Sequence, residues 1–329
     1  MRIVIYGAGA IGAFLGAKLA LGGEDVILVA RGPHLRAIQS HGIRIRSPQG
    51  DIQAHLQATD DPTTIGPVDY LFLTVKAHSL TAIAPQLAQL LGPETTVVSA
   101  QNGIPWWYFQ RHGGQWDGAN LESVDPGGVI SKTIDASRII GCVVYPAARI
   151  AEPGIIEHTE GDRFSIGELD GASSERCKQL SAALIRAGLK GPIRSRIRHE
   201  LWVKLLGNMA FNPLSAITRA TMVEIATHPE TSTIARAMMA EADSIARELG
   251  VEIPITIEQR FSGAKKVGHH KTSMLQDLEA GRSLELESIV GSVVELGDKL
   301  GLPVPHTRTV YACVKLLITH TGNSTSPYG

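Results

Sequence analysis

Three polar side chains are spaced four residues apart in the second half of the chain. Lys204, Asn208 and Asn212 stand at i, i+4 and i+8, which places them on one stripe of a single helix. The residues around them are apolar, so the stripe is expected to line a cleft in which each amide needs hydrogen-bond partners. A lysine in such a cleft can donate a proton to a carbonyl oxygen as hydride reaches the carbonyl carbon. The alternative is an ordinary solvated lysine on an amphipathic helix.

A second set of residues, near the N-terminus, has the spacing of a loop that holds a dinucleotide pyrophosphate. The predicted cofactor-binding loop consists of six consecutive residues, Gly7, Ala8, Gly9, Ala10, Ile11 and Gly12. Gly7 is expected to take a φ that a side chain would resist, Gly9 to let the backbone approach phosphate oxygens, and Gly12 to allow close helix–strand packing. The helix that follows points its N-terminal N–H groups at the anion. A tight strand-to-helix turn without a ligand is the alternative.

Arg31 follows the second predicted strand, over residues 26–30, at the position that distinguishes the two nicotinamide cofactors. Proteins that prefer NAD usually carry an acidic residue there, which accepts a hydrogen bond from the ribose 2′-hydroxyl. A guanidinium instead suits the 2′-phosphate, because it can bind that group with two hydrogen bonds. The sequence therefore favours NADPH, and the alternative is a solvated arginine at a strand end.

Two further polar residues, Lys76 and Asn102, follow predicted strands over residues 69–75 and 95–100. Open α/β sheets bind ligands at the carboxyl ends of their strands, so both residues are predicted to face the cofactor or the substrate near the nicotinamide. A helix start at Lys76 and an ordinary Asn-Gly turn at Asn102 are equally good alternatives.

The elements that position these residues predict two domains. Residues 1–195 alternate strands and helices, which is typical of an α/β, Rossmann-type dinucleotide-binding domain, and residues 196–329 have the apolar spacing of an all-helical domain that carries substrate-binding and catalytic residues. The predicted strands cover residues 1–6, 26–30, 69–75, 95–100, 139–146, 154–159, 163–167 and 191–195. The predicted helices cover residues 13–20, 77–91, 173–187, 197–211, 230–249, 256–265, 285–301 and 305–320.

Residues 105–137 interrupt this rhythm with a long segment rich in glycine, tryptophan and aspartate. Long loops after the carboxyl end of a strand often cover an active site, so a lid is one interpretation. Disorder with a few packed aromatic side chains is the other.

Composition excludes several classes of protein. The 31 basic and 32 acidic residues give a formal net charge of −1, and aromatic residues make up 5%, so no field or stacking surface favours nucleic acid or an anionic membrane. Cys142, Cys177 and Cys313 have no CxxC spacing, which argues against a zinc site or a disulfide framework and for a reducing compartment. No apolar run reaches the ~18 to 20 residues of a membrane span. The sequence predicts a soluble, cytoplasmic protein without a bound metal.

The chain resembles the ketopantoate reductase (2-dehydropantoate 2-reductase) family from Met1 to about Lys315. The residues that carry the resemblance are Gly7–Gly12, Arg31, Lys76, Gln101–Gly103, Trp202–Ala216, Lys271–Asp277, Glu285 and Glu287. The resemblance implies a Rossmann-type domain and a helical domain, and the reduction of a 2-oxo acid by NADPH where the two domains meet. The reaction implied is 2-dehydropantoate to pantoate, in the biosynthesis of pantothenate and coenzyme A.

The resemblance also implies roles for single residues. Lys204 is the general acid, Glu285 contacts the substrate hydroxyl and helps to hold the lysine, and Ser273 binds the substrate carboxylate. Asn208 and Asn212 shape the substrate site. Two of these residues have alternatives in local structure. Thr272 and Ser273 could cap a helix through Asp277, and the Glu285 carboxylate would favour a helix N-terminus whether or not it takes part in chemistry.

The family pattern further places Asn102 and Lys76 around the cofactor. The chain departs from that pattern at His270 and near Met222, where asparagines are expected, and in the length of residues 105–137. These departures favour, as the first alternative, a related reductase or D-2-hydroxyacid dehydrogenase that acts on a bulkier 2-oxo acid. A non-enzymatic NADPH-binding regulator is the alternative from a different class, and a 3-hydroxyacid dehydrogenase-like enzyme is a lesser one.

The long apolar helices of the second half leave the oligomeric state open. They fit a homodimer interface or an internal core, and the homodimer is the favoured interpretation.

Overall fold

The computed structural model describes residues 1–322, and its chain divides into two compact units. The sheet unit comprises Met1–Gln101, Phe109–Ala119 and Gly128–Ile197. The helical unit comprises Asn102–Tyr108, Asn120–Gly127 and the residues from Arg198 onward. The predicted domain boundary at residues 195 and 196 stays a prediction. It did not foresee that two short segments of the N-terminal half belong to the helical unit, and residues 323–329 of the predicted second domain lie outside the described residues.

The sheet unit is built on a seven-stranded sheet and a four-stranded sheet. Its strands are β1 (Arg2–Tyr6), β2 (Asp25–Val29), β3 (Ile43–Arg46), β4 (Ile52–Ala54), β5 (Gln57–Thr59), β6 (Tyr70–Leu73), β7 (Thr96–Ser99), β8 (Ile139–Val144), β9 (Ala147–Glu152), β10 (Ile155–Glu160) and β11 (Phe164–Glu168). The larger sheet has the order β11-β8-β7-β6-β1-β2-β5, and all its strand pairs are parallel except that of β11 with β8. The smaller sheet has the order β4-β3-β10-β9.

Strand β1 lies between β2 and β6, so the connections leave it in opposite directions along the sheet. Such a switch point opens a crevice at the carboxyl end of the strand, where α/β sheets bind ligands. The central strands are apolar and buried along their length, as expected for strands covered on both faces. The predicted glycine loop therefore leaves the sheet at its ligand-binding edge.

Five helices accompany the sheets: α1 (Ala10–Leu21), α2 (Gly32–His41), α3 (Leu80–Leu87), α4 (Val129–Thr133) and α5 (Glu175–Arg186). Helix α1 is buried along most of its length and ends at Gly22, whose N–H donates to the Lys18 carbonyl at 3.0 Å. Phe14 and Leu15 of α1 pack in the same hydrophobic core as Ile3 and Ile5 of β1. This packing fixes the direction in which the start of α1 points.

The helical unit contains α6 (Ile197–Thr218), α7 (Met222–Thr227), α8 (Pro229–Glu248), α9 (Ile257–Val267), α10 (Ser273–Glu279), α11 (Ser292–Leu300) and α12 (Pro305–Thr321). Helix α8 begins with proline at its first turn, where the missing N–H is tolerated, and buries a stripe of small and apolar residues that includes Ala235, Met239 and Ile245. It contacts α7, α9, α11 and α12 and so forms the centre of this unit.

The predicted fold class is confirmed: an α/β unit with a parallel sheet precedes a helical unit. The prediction missed short or edge elements, namely β3, β4, β5, β9, α2, α4, α7 and α10. The predicted strand over residues 191–195 is wrong. Isolated parallel bridges pair Lys190 with Arg163 and Ile193 with Ile166, and the ladder between them is interrupted because Pro192 has no N–H to donate.

Helix α6 also differs from its prediction, which ended at residue 211. It continues through Pro213 to Thr218. Proline removes one helical hydrogen bond and normally ends or kinks a helix, yet Leu214, Ser215 and Ala216 beyond it are buried. Burial of this last turn compensates for the lost bond, so tertiary packing outweighs the local signal.

Among residues 1–322, no helix combines the length and the apolar character needed to cross a membrane.

Candidate functional site

The glycine loop of the sheet unit has the backbone geometry that its sequence predicts. Gly7 has a φ of +107°, and a Cβ built there would lie 2.6 Å from a side-chain carbon of Val75. A Cβ on Gly12 would lie 2.3 Å from the Gly7 carbonyl oxygen and 2.6 Å from the Thr74 hydroxyl. Both positions therefore require glycine, one because of backbone conformation and close approach, and the other because of helix–strand packing.

Gly9 differs from its two neighbours, because a Cβ there would meet no atom within 4 Å. It precedes α1, whose first backbone hydrogen bond runs from the Ala13 N–H to the Gly9 carbonyl at 2.8 Å. The N–H groups of Ala10, Ile11 and Gly12 thus have no acceptor within the helix. The Ala8 N–H donates to the Val29 carbonyl at 2.9 Å, and this hydrogen bond joins the loop to β2. Open space in front of these N–H groups suits a phosphate anion.

Arg31 and Lys76 follow β2 and β6, the two strands that flank β1. Arg31 is exposed and has an extended backbone as α2 begins. Lys76 is half-buried and begins a turn of 3₁₀ helix, in which the Ser79 N–H donates to the Lys76 carbonyl at 2.9 Å. The helix-start interpretation of Lys76 thus describes its backbone. Both cationic side chains stand at the ligand-binding edge of the sheet that carries the glycine loop.

A hydrogen-bonded chain of three side chains lies within the helical unit. Lys204 Nζ donates to Asn102 Oδ1 at 2.6 Å, and Asn102 Nδ2 donates to Glu285 Oε2 at 3.2 Å. The amide of Asn102 uses its acceptor toward the ammonium group and its donor toward the carboxylate, so both partners fix its orientation. The sequence predicted these three residues for one reaction but gave no reason to join Asn102 to Lys204.

The loop that carries Asn102 is held by the helix that follows Glu285. The Ile104 N–H donates to the Ser288 carbonyl at 2.7 Å. Gly103 has a φ of +85°, and a Cβ there would lie 2.1 Å from the same carbonyl oxygen. Ser288 belongs to a turn of π-helix over Glu287–Gly291, a rare geometry that is frequent at functional sites. The chain therefore bends at Asn102 and Gly103, and this bend places the Asn102 amide between its two partners.

The other members of the predicted stripe lie on the same helix as Lys204. Asn208 is half-buried, and Asn212 is 5% exposed. Among residues 1–322, the Asn212 Nδ2 atom has no hydrogen-bond partner although it is buried. A buried amide donor without a partner is costly, so it points to a group that arrives from outside the chain or to a bridging water.

Ser273 is exposed and is the first residue of α10. The predicted helix cap is present, but its side chain belongs to Thr272, which accepts a hydrogen bond from the Leu275 N–H at 3.2 Å. Asp277, the other residue suggested for capping, accepts instead from Arg282 Nε at 2.8 Å. The Ser273 hydroxyl is thus not the cap.

Sequence reasoning missed Tyr108, whose hydrogen bonds hold the start of α6. Tyr108 is fully buried, its hydroxyl accepts from Trp202 Nε1 at 2.7 Å, and its carbonyl accepts from Arg198 Nε at 2.8 Å. Burial raises the pKa of Tyr108 to about 12. This part of the 105–137 segment is therefore core that orients the helix of Lys204. The run of four aromatic residues at 106–109 was the available signal.

The two positions at which the chain departs from the family pattern lie side by side. The Met222 N–H donates to the His270 carbonyl at 3.1 Å. Met222 begins α7, and His270 precedes α10. Both positions therefore lie in one region of the helical unit, and the departures themselves stay a prediction.

The fold and these sites define a protein with a Rossmann-type sheet unit and a helical unit that carries a lysine–asparagine–glutamate chain. The model of the family described as "Ketopantoate reductase PanE/ApbA" matches residues 3–106, and that of its C-terminal domain matches residues 196–317. The chain belongs to the ketopantoate reductase family, which confirms the resemblance found in the sequence.

Relatives cover the chain almost from end to end. A protein of Mesorhizobium japonicum named 2-dehydropantoate 2-reductase is 48% identical and is aligned over 98% of this chain and 99% of its own. The solved structure of a Ralstonia solanacearum MolK2 protein has a TM-score of 0.93 at 39% identity, and the alignment covers 98% of this chain and 99% of that one. D-mandelate dehydrogenase, solved with NADH and anilino(oxo)acetate, shares the fold at 21% identity, with a TM-score of 0.84 and coverage of 98% and 100%.

Proposed function

We propose that this protein reduces 2-dehydropantoate to pantoate with NADPH, a step of pantothenate biosynthesis. The observation that carries the proposal is the hydrogen-bonded chain from Lys204 through Asn102 to Glu285. It presents an ammonium group in a fixed position within a protein whose family reduces 2-oxo acids. The Mesorhizobium japonicum relative, similar over nearly the full length of both chains, is named for this reaction.

The dinucleotide would be held by the sheet unit. Residues Gly7–Gly12 offer backbone N–H groups to the pyrophosphate, and the open space at Gly9 leaves room for its oxygens. Lys76 adds a positive charge at the same edge of the sheet. The bound nicotinamide supplies the hydride that is added to the keto carbon.

Arg31 supports NADPH over NADH. Its side chain is exposed directly after β2, where an acidic residue would favour the ribose hydroxyl of NADH. A guanidinium can instead form two charge-assisted hydrogen bonds with the 2′-phosphate. We expect Arg31 to set the preference between the cofactors, while the glycine loop binds both.

Lys204 is the proposed general acid. As the carbonyl oxygen gains negative charge, an N–H bond of the ammonium group breaks and an O–H bond forms, which leaves a neutral amine that regains its proton from water. Asn102 accepts a hydrogen bond from the ammonium group and holds it at one position, and Glu285 in turn holds the amide. Glu285 is also proposed to contact the hydroxyl of the substrate.

Three further residues are proposed to bind the substrate. Asn208 and Asn212 follow Lys204 on α6, and the buried Nδ2 donor of Asn212 suits an oxygen of the substrate. Ser273, exposed and not used as a cap, is available to a carboxylate.

A bulkier 2-oxo acid is the second candidate substrate. The contact between Met222 and His270 favours it, because both departures from the family pattern meet there and change the same region. The chemistry would be unchanged, since it depends on Lys204 and not on the far end of the substrate.

The deciding experiment measures loss of NADPH absorbance with 2-dehydropantoate, beside NADH and a panel of bulkier 2-oxo acids. Rapid turnover of 2-dehydropantoate with NADPH supports the proposal, and Arg31→Ala should then weaken NADPH binding about 10- to 100-fold while NADH binding is unchanged. Turnover of a bulkier 2-oxo acid and not of 2-dehydropantoate would identify the bulkier acid as the substrate. Cofactor binding without turnover of any 2-oxo acid would contradict the proposal and favour a regulator.

The homodimer and the cytoplasmic location stay predictions. Light scattering after size-exclusion chromatography tests the first, and cell fractionation tests the second.

A further inference from the structure

A glycine stands inside α6 at position 207, between Lys204 and Asn208. Glycine weakens the interior of a helix relative to alanine, so its presence there calls for a local reason. The reason is Arg260 of α9. A Cβ on Gly207 would lie 2.1 Å from both Nε and Nη2 of Arg260 and 2.5 Å from its Cζ. The guanidinium group therefore lies directly against the backbone of α6.

Packing of α9 against α6 fixes this position. One turn further along α6, the rings of Phe211 and Phe261 are 5.4 Å apart between centroids. The guanidinium carbon of Arg236, on α8, lies 4.0 Å above the centre of the Phe261 ring. Arg260 precedes Phe261 in the chain, so the same contacts that hold the phenylalanine hold the start of the Arg260 side chain.

Gly207 lies three residues after Lys204, and residues at this spacing are neighbours on a helix surface, about 5 to 6 Å apart between Cβ positions. The Arg260 guanidinium thus reaches α6 on the turn next to the lysine. Lys204 and the residue against which Arg260 packs are thus adjacent on α6, and Glu285 is linked to the lysine through Asn102.

A 2-oxo acid has two neighbouring groups, a carbonyl oxygen and a carboxylate, that a lysine and an arginine can bind. Its carboxylate is bonded directly to the carbonyl carbon, so a lysine that protonates the carbonyl oxygen has the carboxylate within a few ångströms. A planar guanidinium can bind both oxygens of a carboxylate at once, which an ammonium group cannot do. We propose that Arg260, which packs against Gly207, binds the carboxylate of the substrate in addition to the Ser273 hydroxyl and thereby selects 2-oxo acids over neutral ketones. The inference rests on the proposed reduction of a 2-oxo acid.

The test compares an acid with its neutral ester. KM and kcat are measured at saturating NADPH for 2-dehydropantoate and for its methyl ester, with wild-type protein, Arg260→Gln and Arg260→Lys. We expect Arg260→Gln to raise KM for the acid about 10- to 100-fold, since a charge-assisted pair is lost. The change in kcat should be small, because the carboxylate is bound alike in the ground state and the transition state. KM for the ester should stay unchanged.

Two further variants separate binding from folding. Arg260→Lys keeps the charge and should raise KM for the acid less than Arg260→Gln does, so it serves as the test if the glutamine variant does not fold. Arg247→Gln removes an exposed guanidinium of α8 that is paired with Asp243 at 2.8 Å and takes no part in these contacts, so it should leave KM for the acid unchanged. Equal changes in KM for acid and ester, or no change for the acid, would overturn the assignment.

A separate measurement distinguishes this inference from the proposed function. If wild-type protein turns over no 2-oxo acid, the proposed function fails. Calorimetric titration of oxamate, a small carboxylate with an adjacent carbonyl, into the NADPH-loaded protein then tests Arg260 alone. Binding that is lost in Arg260→Gln and kept in Arg247→Gln supports the carboxylate site, whereas absence of binding to wild-type protein overturns it.

Discussion

The glycine loop of the sheet unit and the lysine–asparagine–glutamate chain of the helical unit are built in opposite ways. The loop is six consecutive residues, and its binding groups are backbone N–H groups. The three side chains of the helical unit come from positions up to 183 residues apart. A local backbone conformation is encoded by glycine spacing, whereas a side-chain cluster depends on every element that brings its members together. The two regions should therefore fail differently when they are mutated.

The largest effect is expected for Lys204→Ala. Removal of a general acid typically lowers the rate about 10²- to 10⁴-fold, so kcat should fall by this factor while the Kd for NADPH stays the same. Steady-state kinetics and fluorescence titration of NADPH measure the two quantities. Lys299→Ala, which removes another helical lysine that is paired with Glu295 at 3.6 Å, is the control and should keep its kcat. Near-full turnover by Lys204→Ala would show that the acid is another group.

Gly103→Ala tests whether the helical chain depends on its supporting loop. The new Cβ would meet the Ser288 carbonyl at 2.1 Å, so the loop must move and carry Asn102 away from Lys204. We expect kcat to fall about 10- to 100-fold, with a lower Tm. Gly301→Ala is the matched control, because Gly301 also has a positive φ, +67°, but a Cβ there meets nothing within 4 Å. If both variants lose the same activity, backbone strain and not displacement of Asn102 is the cause.

Gly9→Ala makes the corresponding test of the glycine loop. A Cβ at Gly9 meets no protein atom within 4 Å, so the fold and the Tm should be preserved. The methyl group would occupy the space proposed for phosphate oxygens, and we expect the Kd for NADPH to rise about 10-fold. Gly263→Ala, at a glycine of α9 with the same open surroundings, should leave the Kd unchanged. Unchanged NADPH affinity in Gly9→Ala would contradict the proposal that phosphate oxygens bind at this position.

The smallest effect on activity is expected at Glu241, which fixes α12 to α8. Its carboxylate accepts hydrogen bonds from the N–H of His306 at 2.9 Å and from the N–H and hydroxyl of Thr307 at 2.9 and 2.6 Å. Burial raises the pKa of Glu241, but these hydrogen bonds outweigh it, and the pKa lies below its usual value. Glu241→Gln should lower the free energy of unfolding by about 1 to 3 kcal/mol at neutral pH and leave kcat unchanged.

The pH dependence of that effect has a defined sign. Because the folded-state pKa of Glu241 is lowered, its contribution to stability is complete above the unfolded-state pKa of about 4.3 and is lost as the pH falls through the folded-state value. Thermal unfolding between neutral and acidic pH should therefore show a smaller loss of stability for Glu241→Gln than for the wild-type protein. Parallel pH profiles of the two proteins would contradict this assignment.

Much of the fold was predictable, because long helices and strands can be recognised from the periodic spacing of their apolar residues. Strands β1, β2 and β6 each contain an apolar run of four residues, and α8 and α12 have helical spacing that ends at recognisable signals. Two of the missed elements, β5 and α7, have three and six residues, too few for a period to be visible. The end of α6 was misplaced because the signal of Pro213 is local, while the burial that overrides it comes from residues distant in sequence.

The sequence by itself determined the glycine loop and the stripe of Lys204, Asn208 and Asn212, because both depend only on spacing within one element. From the sequence, Asn102 was only a residue at the end of a strand, and it was predicted to bind the cofactor. Only the tertiary structure joined Asn102 to Lys204 and Glu285, and only the structure placed Arg260 against Gly207. Periodicity fixes which residues share a face, whereas contacts between distant segments depend on how whole elements pack.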